Sequence, residues 1–299
     1  MGVVFIGSQP IGHDCLKAIL AHGIKVDSVF TFKPDPHESW SVSVDSLAKK
    51  NNIPLFYHED LTVNTIKKIN PELILVVGYR KIFPKEIIHI PKYGVIGLHA
   101  SLLPHLRGQA PLNWAIINGD SKAGITMFKM DDGIDTGDVV GQKEINIEIT
   151  TDIIELKEKI SDLAVQLVNE YVPLILKDQA KFLTQPSTGT YGCARIPEDG
   201  KIDWTRKTID IYNLIRAQEP TYASFTFLNS KKLYIKKSEL VDDSKKYFGT
   251  CGQVGMTFKD GSVLVITGDG VIKITRVNFE NEEEVEAKTI LKSSKIRLG

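Results

Sequence analysis

Short apolar runs alternate with segments of helical periodicity along the first half of the chain, and no other feature constrains the fold as tightly. VVFIG (3–7), Val26–Phe32, Pro54–Tyr57, Leu73–Gly78 and Val95–His99 read as strands. Between them Cys15–His22, Ser41–Asn51 and Leu61–Asn70 read as helices, the last with Asp60 as its cap. The run LILVVG has no polar residue, so a strand there is covered on both faces. Alternation of this kind builds an α/β domain around a mostly parallel sheet with helices on both sides. Ligands of such sheets bind where the carboxyl ends of the strands open into loops. The loops after Gly7, Phe32, Gly78 and His99 are the expected site.

The texture then changes. Thr151–Lys177 is the longest helical pattern, with a Leu/Ile stripe for a core and Pro173 as the expected kink or end. From about Leu183 the chain is rich in Gly, Pro, Ser and Thr and reads as a linker. After a helix over Thr208–Ala217 come FTFL, KKLYIKK, CGQVGMTF, SVLVITGDG and VIKITRV, short strands that suit a small β-barrel or sandwich. The expected organisation is a catalytic domain over 1–184, a linker over 185–203 and a smaller β domain over 204–299.

Composition narrows the function classes. The 299 residues carry no net charge, with 42% hydrophobic and 25% charged residues, as in an ordinary globular protein. A mild excess of Lys and Arg from Lys201 onward balances an acidic excess before it, which is a weak electrostatic case for nucleic acid. No run is long and apolar enough to cross a bilayer, and MGVVFIGSQPIGHD lacks the features of a signal peptide, so the expected location is cytoplasmic. Cys15, Cys193 and Cys251 are far apart and odd in number, which points to free thiols. GSQPIGHD after the first strand is not a dinucleotide fingerprint, and Walker and GxSxG motifs are absent, which disfavours hydride transfer, nucleotide hydrolysis and the common hydrolase chemistry. No metal-ligand spacing is present.

The chemistry-bearing stretch is Gly97 to Asp138. His99 ends a strand and is followed by a loop dense in backbone-determining residues, with Pro104, Arg107, Gly108 and Pro111. Asp135 lies in a later Asp-Thr-Gly turn, with Asp131 and Asp132 as rivals. A free imidazole exchanges protons near neutral pH, and a carboxylate facing an imidazole stabilises its protonated form. The remaining six histidines have no such context and read as structural.

These residues carry a resemblance. The run His-x-Ser-Leu-Leu-Pro-x-x-Arg-Gly-x-x-Pro from His99, the later Asp-x-Gly-x-Asp-Thr-Gly run, and IPEDGKIDW with IRAQEP in the tail resemble the folate-dependent formyltransferases. The likeness spans nearly the whole chain. It implies a Rossmann-like catalytic domain, a smaller OB-like β-barrel domain and 10-formyltetrahydrofolate as formyl donor. It implies that an amine attacks the formyl carbon, with His99 as base or charged stabiliser and Asp135 tuning it. The donor is expected along Gly78, Tyr79, Arg80, Ile82 and Phe83, along Leu102, Leu103 and Pro104, and along Met130, Asp131, Gly133 and Ile134. Ser8, Gln9, Pro10, Arg107 and Gln109 are the expected acceptor contacts, with Trp40 or Trp114 as stacking platforms. For Arg107 a loop-bracing role is weighed equally.

One position departs from the pattern. The family carries an Asn two residues before the His, whose amide donates to the formyl oxygen; here that residue is Gly97. Loss of one oxyanion donor costs on the order of 3 kcal/mol. A water, Gln109 or Tyr79 substituting, a different acceptor geometry, and a non-catalytic binding homologue are the open readings. The acceptor is expected to be a nucleotide-linked amino sugar. The loop FKPDPHESW (32–40) has Asp35 and Glu38 against Lys33 and cannot release many counterions from phosphates, which disfavours a tRNA acceptor. The resemblance also leaves room for a homodimer and offers no membrane partner.

Overall fold

A computed structural model describes residues 2–33, 43–81, 83–219, 223–241 and 246–299. Ile82, Trp40 and most of the loop over 32–40 lie outside the described residues. The chain divides into two compact units, one of residues 1–111, 122–146 and 157–192, the other of residues 112–121, 147–156 and 193–299.

The first unit is an α/β layer structure. Its strands are β1 (Val3–Gly7), β2 (Val26–Thr31), β3 (Leu55–Tyr57), β4 (Leu73–Val77), β5 (Val95–His99), β6 (Arg107–Gly108), β7 (Lys122–Lys129), β8 (Val139–Asn146) and β9 (Tyr191–Gly192). Seven of these form one sheet in the order β3-β2-β1-β4-β5-β7-β8, while β6 and β9 pair separately. Pairing is parallel from β3 to β5 and antiparallel at β5–β7 and β7–β8. Every residue of β1 and β4 is buried, as their continuous apolar character requires.

Helices α1 (Gln9–Ala21), α2 (Val44–Lys50), α3 (Val63–Ile69) and α4 (Lys85–Ile88) cover the sheet. Ile66 of α3 and Ile87 and Ile88 of α4 pack with Val4, Ile6, Ile74 and Val76, which share one face of β1 and β4. The alternate strand residues Val3, Phe5, Leu73 and Leu75 face the other way, and α1 and α2 pack on each other and on the sheet. Thr62, not Asp60, caps α3: its side chain accepts from the Thr65 N–H, while Asp60 accepts from the Tyr57 N–H one turn earlier. The strand order reverses between β1 and β4. There Ser8 donates its hydroxyl to the Gly78 carbonyl at 2.6 Å, joining the loops that leave the two strands. Gly78 is at φ +65°, and a Cβ there would sit 2.6 Å from the Ser8 carbonyl oxygen.

Helix α5 (Pro111–Asn118) lies mostly in the second unit, and α6 (Ile153–Leu176) belongs to the first from Lys157 onward. Pro173 does not end α6; three further residues continue the helix. The second unit adds α7 (Thr208–Arg216) and an antiparallel sheet of β10 (Phe225–Leu228), β11 (Lys231–Leu240), β12 (Val254–Thr257), β13 (Val263–Ile266), β14 (Val271–Phe279) and β15 (Val285–Glu286), followed by α8 (Ala287–Ile290). The path order is β10-β11-β14-β13-β12, with β15 on β14. Trp204, Ile211, Ile215, Leu233, Val265 and Ile274 are central to its core. Among the described residues no helix is long and apolar enough to cross a membrane, and no cluster of potential metal ligands exists.

Candidate active site

Strand alternation places Gly97 and His99 on the same face of β5, and the strand ends at His99. The imidazole is 9% exposed and held at both nitrogens. Nε2 lies 2.7 Å from the Leu106 carbonyl oxygen. A carbonyl only accepts, so Nε2 carries a proton. Nδ1 lies 3.5 Å from Asp135 Oδ2 and is the nitrogen able to exchange a proton with that carboxylate.

Asp135 reaches this position because its backbone is left-handed, at φ +53°, a region Asp tolerates better than most residues. Its Oδ2 also accepts the Gly108 N–H at 2.8 Å. The two rival carboxylates point elsewhere. Asp131 accepts from the Gly133 N–H at 3.0 Å and the Thr136 hydroxyl at 2.7 Å, closing its own turn, and Asp132 is an exposed group 3.9 Å from His89.

The loop after β5 is pinned along its length. Leu103 donates its N–H to the Thr126 hydroxyl and is buried, and Leu102 fills the space over Gly124. Leu106 donates to the Thr190 hydroxyl, the Arg107 N–H to the Thr190 carbonyl, and the Gln109 N–H to the Gly192 carbonyl. Residues 185–192, which read as linker, thus run alongside this loop and pair with it through β6 and β9. Arg107 is 2% exposed, and its guanidinium donates to Gln185 Oε1, the Pro186 carbonyl and the Tyr191 hydroxyl. Its place in the structure is that of the loop brace, with its charge turned into the loop instead of toward solvent.

Gly108 is fixed by the same pairing. It sits at φ +89°, and a Cβ there would lie 2.6 Å from the Gly192 carbonyl oxygen. Gly108→Ala therefore must displace the N–H that holds Asp135. We expect turnover to fall by about 10²-fold, the cost of moving a catalytic group by roughly an ångström, with the loss read in steady-state kinetics.

Gly97 has no open space above it. A Cβ there would lie 3.0 Å from the Phe128 ring and 3.4 Å from Met130 Cγ, and Phe128, directly opposite on β7, is 3% exposed. A side chain at this position would meet the Phe128 ring at its first carbon. Tyr79 is also committed: its hydroxyl lies 2.8 Å from His58 Nδ1. Burial pushes the Tyr79 hydroxyl up to about 12. Burial, with Lys81 nearby, pushes His58 below the usual imidazole range.

The expected donor residues divide in the structure. Tyr79, Phe83 and Met130 pack against one buried cluster under α3 and α4. Phe32 stacks on Tyr79 at 5.4 Å, and Arg80 lies 5.3 Å over Phe32. Asp131, Gly133 and Ile134 are exposed, Ile134 at 63%. Ser8 is buried, Gln9 lies at φ +65° and Pro10 is in the first turn of α1, while Gln109 is exposed. The Trp114 indole N–H donates to the Cys193 carbonyl at 2.8 Å. Gln185 is the site residue that the sequence did not reveal. Its amide nitrogen donates to the Asp135 carbonyl at 3.0 Å and to the Gly137 carbonyl at 2.6 Å.

Residues 2–172 match the formyl transferase family, and residues 196–295 match the formyl transferase C-terminal domain. The chain belongs to the formyltransferase family. It is 33% identical over 310 residues to methionyl-tRNA formyltransferase of Thermodesulfovibrio yellowstonii, covering all of this chain and 97% of that protein. It is 32% identical over 308 residues to the bifunctional polymyxin resistance protein ArnA of Wigglesworthia glossinidia brevipalpis, covering 99% of this chain and 46% of ArnA. Among solved structures it resembles the Helicobacter canadensis N-formyltransferase crystallised with folinic acid and dTDP-3-aminofucose, with a TM-score of 0.71 and 21% identity over 91% of this chain and 97% of that one. At that identity the structural likeness carries the fold alone. This formyltransferase thus has His99 at the carboxyl end of β5, facing Asp135 on a turn.

Proposed function

We propose that this formyltransferase moves a formyl group from 10-formyltetrahydrofolate to the primary amine of a nucleotide-linked amino sugar. The observation that carries the reaction type is the His99–Asp135 pair, fixed at 3.5 Å with His99 Nε2 already committed to a carbonyl. The transfer breaks the bond between the donor nitrogen and the formyl carbon and forms an amide. One proton must pass from the attacking amine to the leaving nitrogen. His99 and Asp135 carry that proton, and a positively charged imidazole beside the formyl group stabilises the oxygen that becomes negative on attack. Their fixed placement supplies the orientation that a bimolecular reaction in water lacks.

The surroundings suit a flat, partly apolar donor. Tyr79, Phe83 and Met130 form an apolar flank, and exposed Ile134 presents a further apolar surface on the Asp135 turn. Gly78 and Ser8, at the switch between β1 and β4, are the residues proposed to meet the amine acceptor and the donor together. Arg107 takes no part in binding on this reading, since its donors are used inside the loop. The second unit, an antiparallel sheet packed by α7, is read as the OB-like domain of the family.

The amino-sugar acceptor rests on the poorly basic stretch from Phe32 to Trp40. A second reading, methionyl-tRNA as acceptor, is favoured by the relatives of that name. Ionic strength separates the two. Formylation of a sugar nucleotide is expected to change little between 50 and 200 mM salt, whereas a tRNA reaction that neutralises 6–10 phosphates loses about 10³ to 10⁵ in affinity over that range. Formylation confined to charged tRNA, with that steep salt dependence, overturns the sugar reading.

A further inference from the structure

Gln185 lies in a Pro-, Ser-, Thr- and Gly-rich stretch, yet its side chain touches both loops that present the catalytic pair. Its amide nitrogen donates one hydrogen to the Asp135 carbonyl at 3.0 Å and the other to the Gly137 carbonyl at 2.6 Å. Its oxygen accepts from Arg107 at Nη2 (2.8 Å) and at Nε (3.3 Å). A primary amide has two donors and two acceptor sites, and all four are in use.

The consequences follow from where these partners sit. Arg107 lies between Leu106, whose carbonyl accepts from His99 Nε2, and Gly108, whose N–H holds the Asp135 carboxylate. The contacts close a ring: His99 to Leu106, along the chain to Arg107, across to Gln185, across to Asp135, and back to His99. The last edge, 3.5 Å between His99 and Asp135, is the longest polar contact in that ring. Asp135 also sits at φ +53°, a left-handed state that Asp tolerates and that contacts to its turn help to hold. Gln185 supplies one such contact to the main chain of Asp135 itself, and a second to Gly137 two residues on.

We propose that Gln185 is a positioning residue for formyl transfer, its amide fixing the Asp135 turn against the His99 loop so that the carboxylate meets His99 Nδ1. It touches neither reacting group and acts through Arg107 and Asp135. The proposal rests on the formyl-transfer reading only in giving the pair its chemistry; the geometric part stands apart from it.

The test uses the full chain and two near-isosteric variants. Gln185→Glu keeps an oxygen for Arg107 and removes both donors to the turn. Gln185→Met removes the polar contacts on both sides. Two readouts are combined: kcat and KM for formyl transfer from 10-formyltetrahydrofolate, and the imidazole ¹⁵N resonances of His99 in the ligand-free protein. For both variants kcat is expected to fall by roughly 10²-fold, the cost of a misplaced catalytic group, with KM for the donor within about twofold. The His99 nitrogen resonances are expected to move toward those of Asp135→Asn. A purely structural Gln185 lowers the melting temperature and leaves both readouts of the folded fraction unchanged, and that result overturns the proposal. If one variant does not fold, the other decides. If the wild type transfers no formyl group while its His99 resonances still respond to Gln185→Glu, the function assignment fails and the positioning role stands.

Discussion

Replacing His99 by Ala is expected to lower formyl transfer by about 10³-fold, near the middle of the range for a positioned acid–base group. The effect belongs in kcat. The ring sits at the end of β5, held by the Leu106 carbonyl and Asp135, so its loss removes no support from the sheet core. Donor affinity should stay within about twofold, because the contribution of the ring is made only as charge and a proton move. Asp135→Asn is the sharper variant. Asn also tolerates φ near +53° and keeps an oxygen for the Gly108 N–H, so the turn persists while the negative charge is lost. A loss of about 10²-fold is expected there, at the lower end of the range for a positioned proton-transfer group. Wild-type turnover in Asp135→Asn contradicts the role given to the pair.

The second large effect concerns Gly97. Restoring the family's Asn by Gly97→Asn places a side chain where the Phe128 ring lies, 3.0 Å from the first carbon of any substituent. The variant is expected to lose about 1–3 kcal/mol of stability through overpacking and to gain no activity. Phe128→Ala, which empties a buried position, is expected to cost about 3–5 kcal/mol. The two changes together should cost less than their sum, with a coupling of about 1–3 kcal/mol, because each relieves the defect of the other. With the ring gone the Asn amide can donate to the formyl oxygen. The double variant should therefore turn over on the order of 10²-fold faster than Phe128→Ala alone, the worth of one oxyanion donor. Denaturant midpoints measure the first part and single-turnover rates the second. Additive stabilities with no gain in rate contradict the view that Gly97 and Phe128 exchange one space between them.

Much of this architecture was legible in the sequence because it follows from local pattern. The fully apolar runs of β1 and β4 marked buried parallel strands, and the apolar run ending at His99 marked the strand that ends there. Asp135 was legible through its turn, although only the structure distinguishes it from Asp131 and Asp132, since all three share one short segment and differ in backbone direction. What escaped the sequence depends on partners far apart in the chain. Phe128 covers Gly97 because of antiparallel register across β5 and β7, and no local pattern encodes register. Residue type left Arg107 equally a ligand contact or a loop brace, because its partners, Gln185, Pro186 and Tyr191, lie in a segment whose composition signals a linker. Gln185 is hidden for the same reason: a lone Gln carries no periodic or motif signal. Asp60 was read as a cap on residue type alone, whereas Thr62 lies at the residue where helical backbone begins.

The most direct measurement of the central claim is the consumption of 10-formyltetrahydrofolate by the wild-type protein, followed with and without a nucleotide-linked amino sugar. The account predicts loss of the donor's formyl group that depends on the amine, with one formamide formed for each donor consumed. Donor that binds and yet keeps its formyl group in the presence of amino sugar and charged tRNA alike contradicts it.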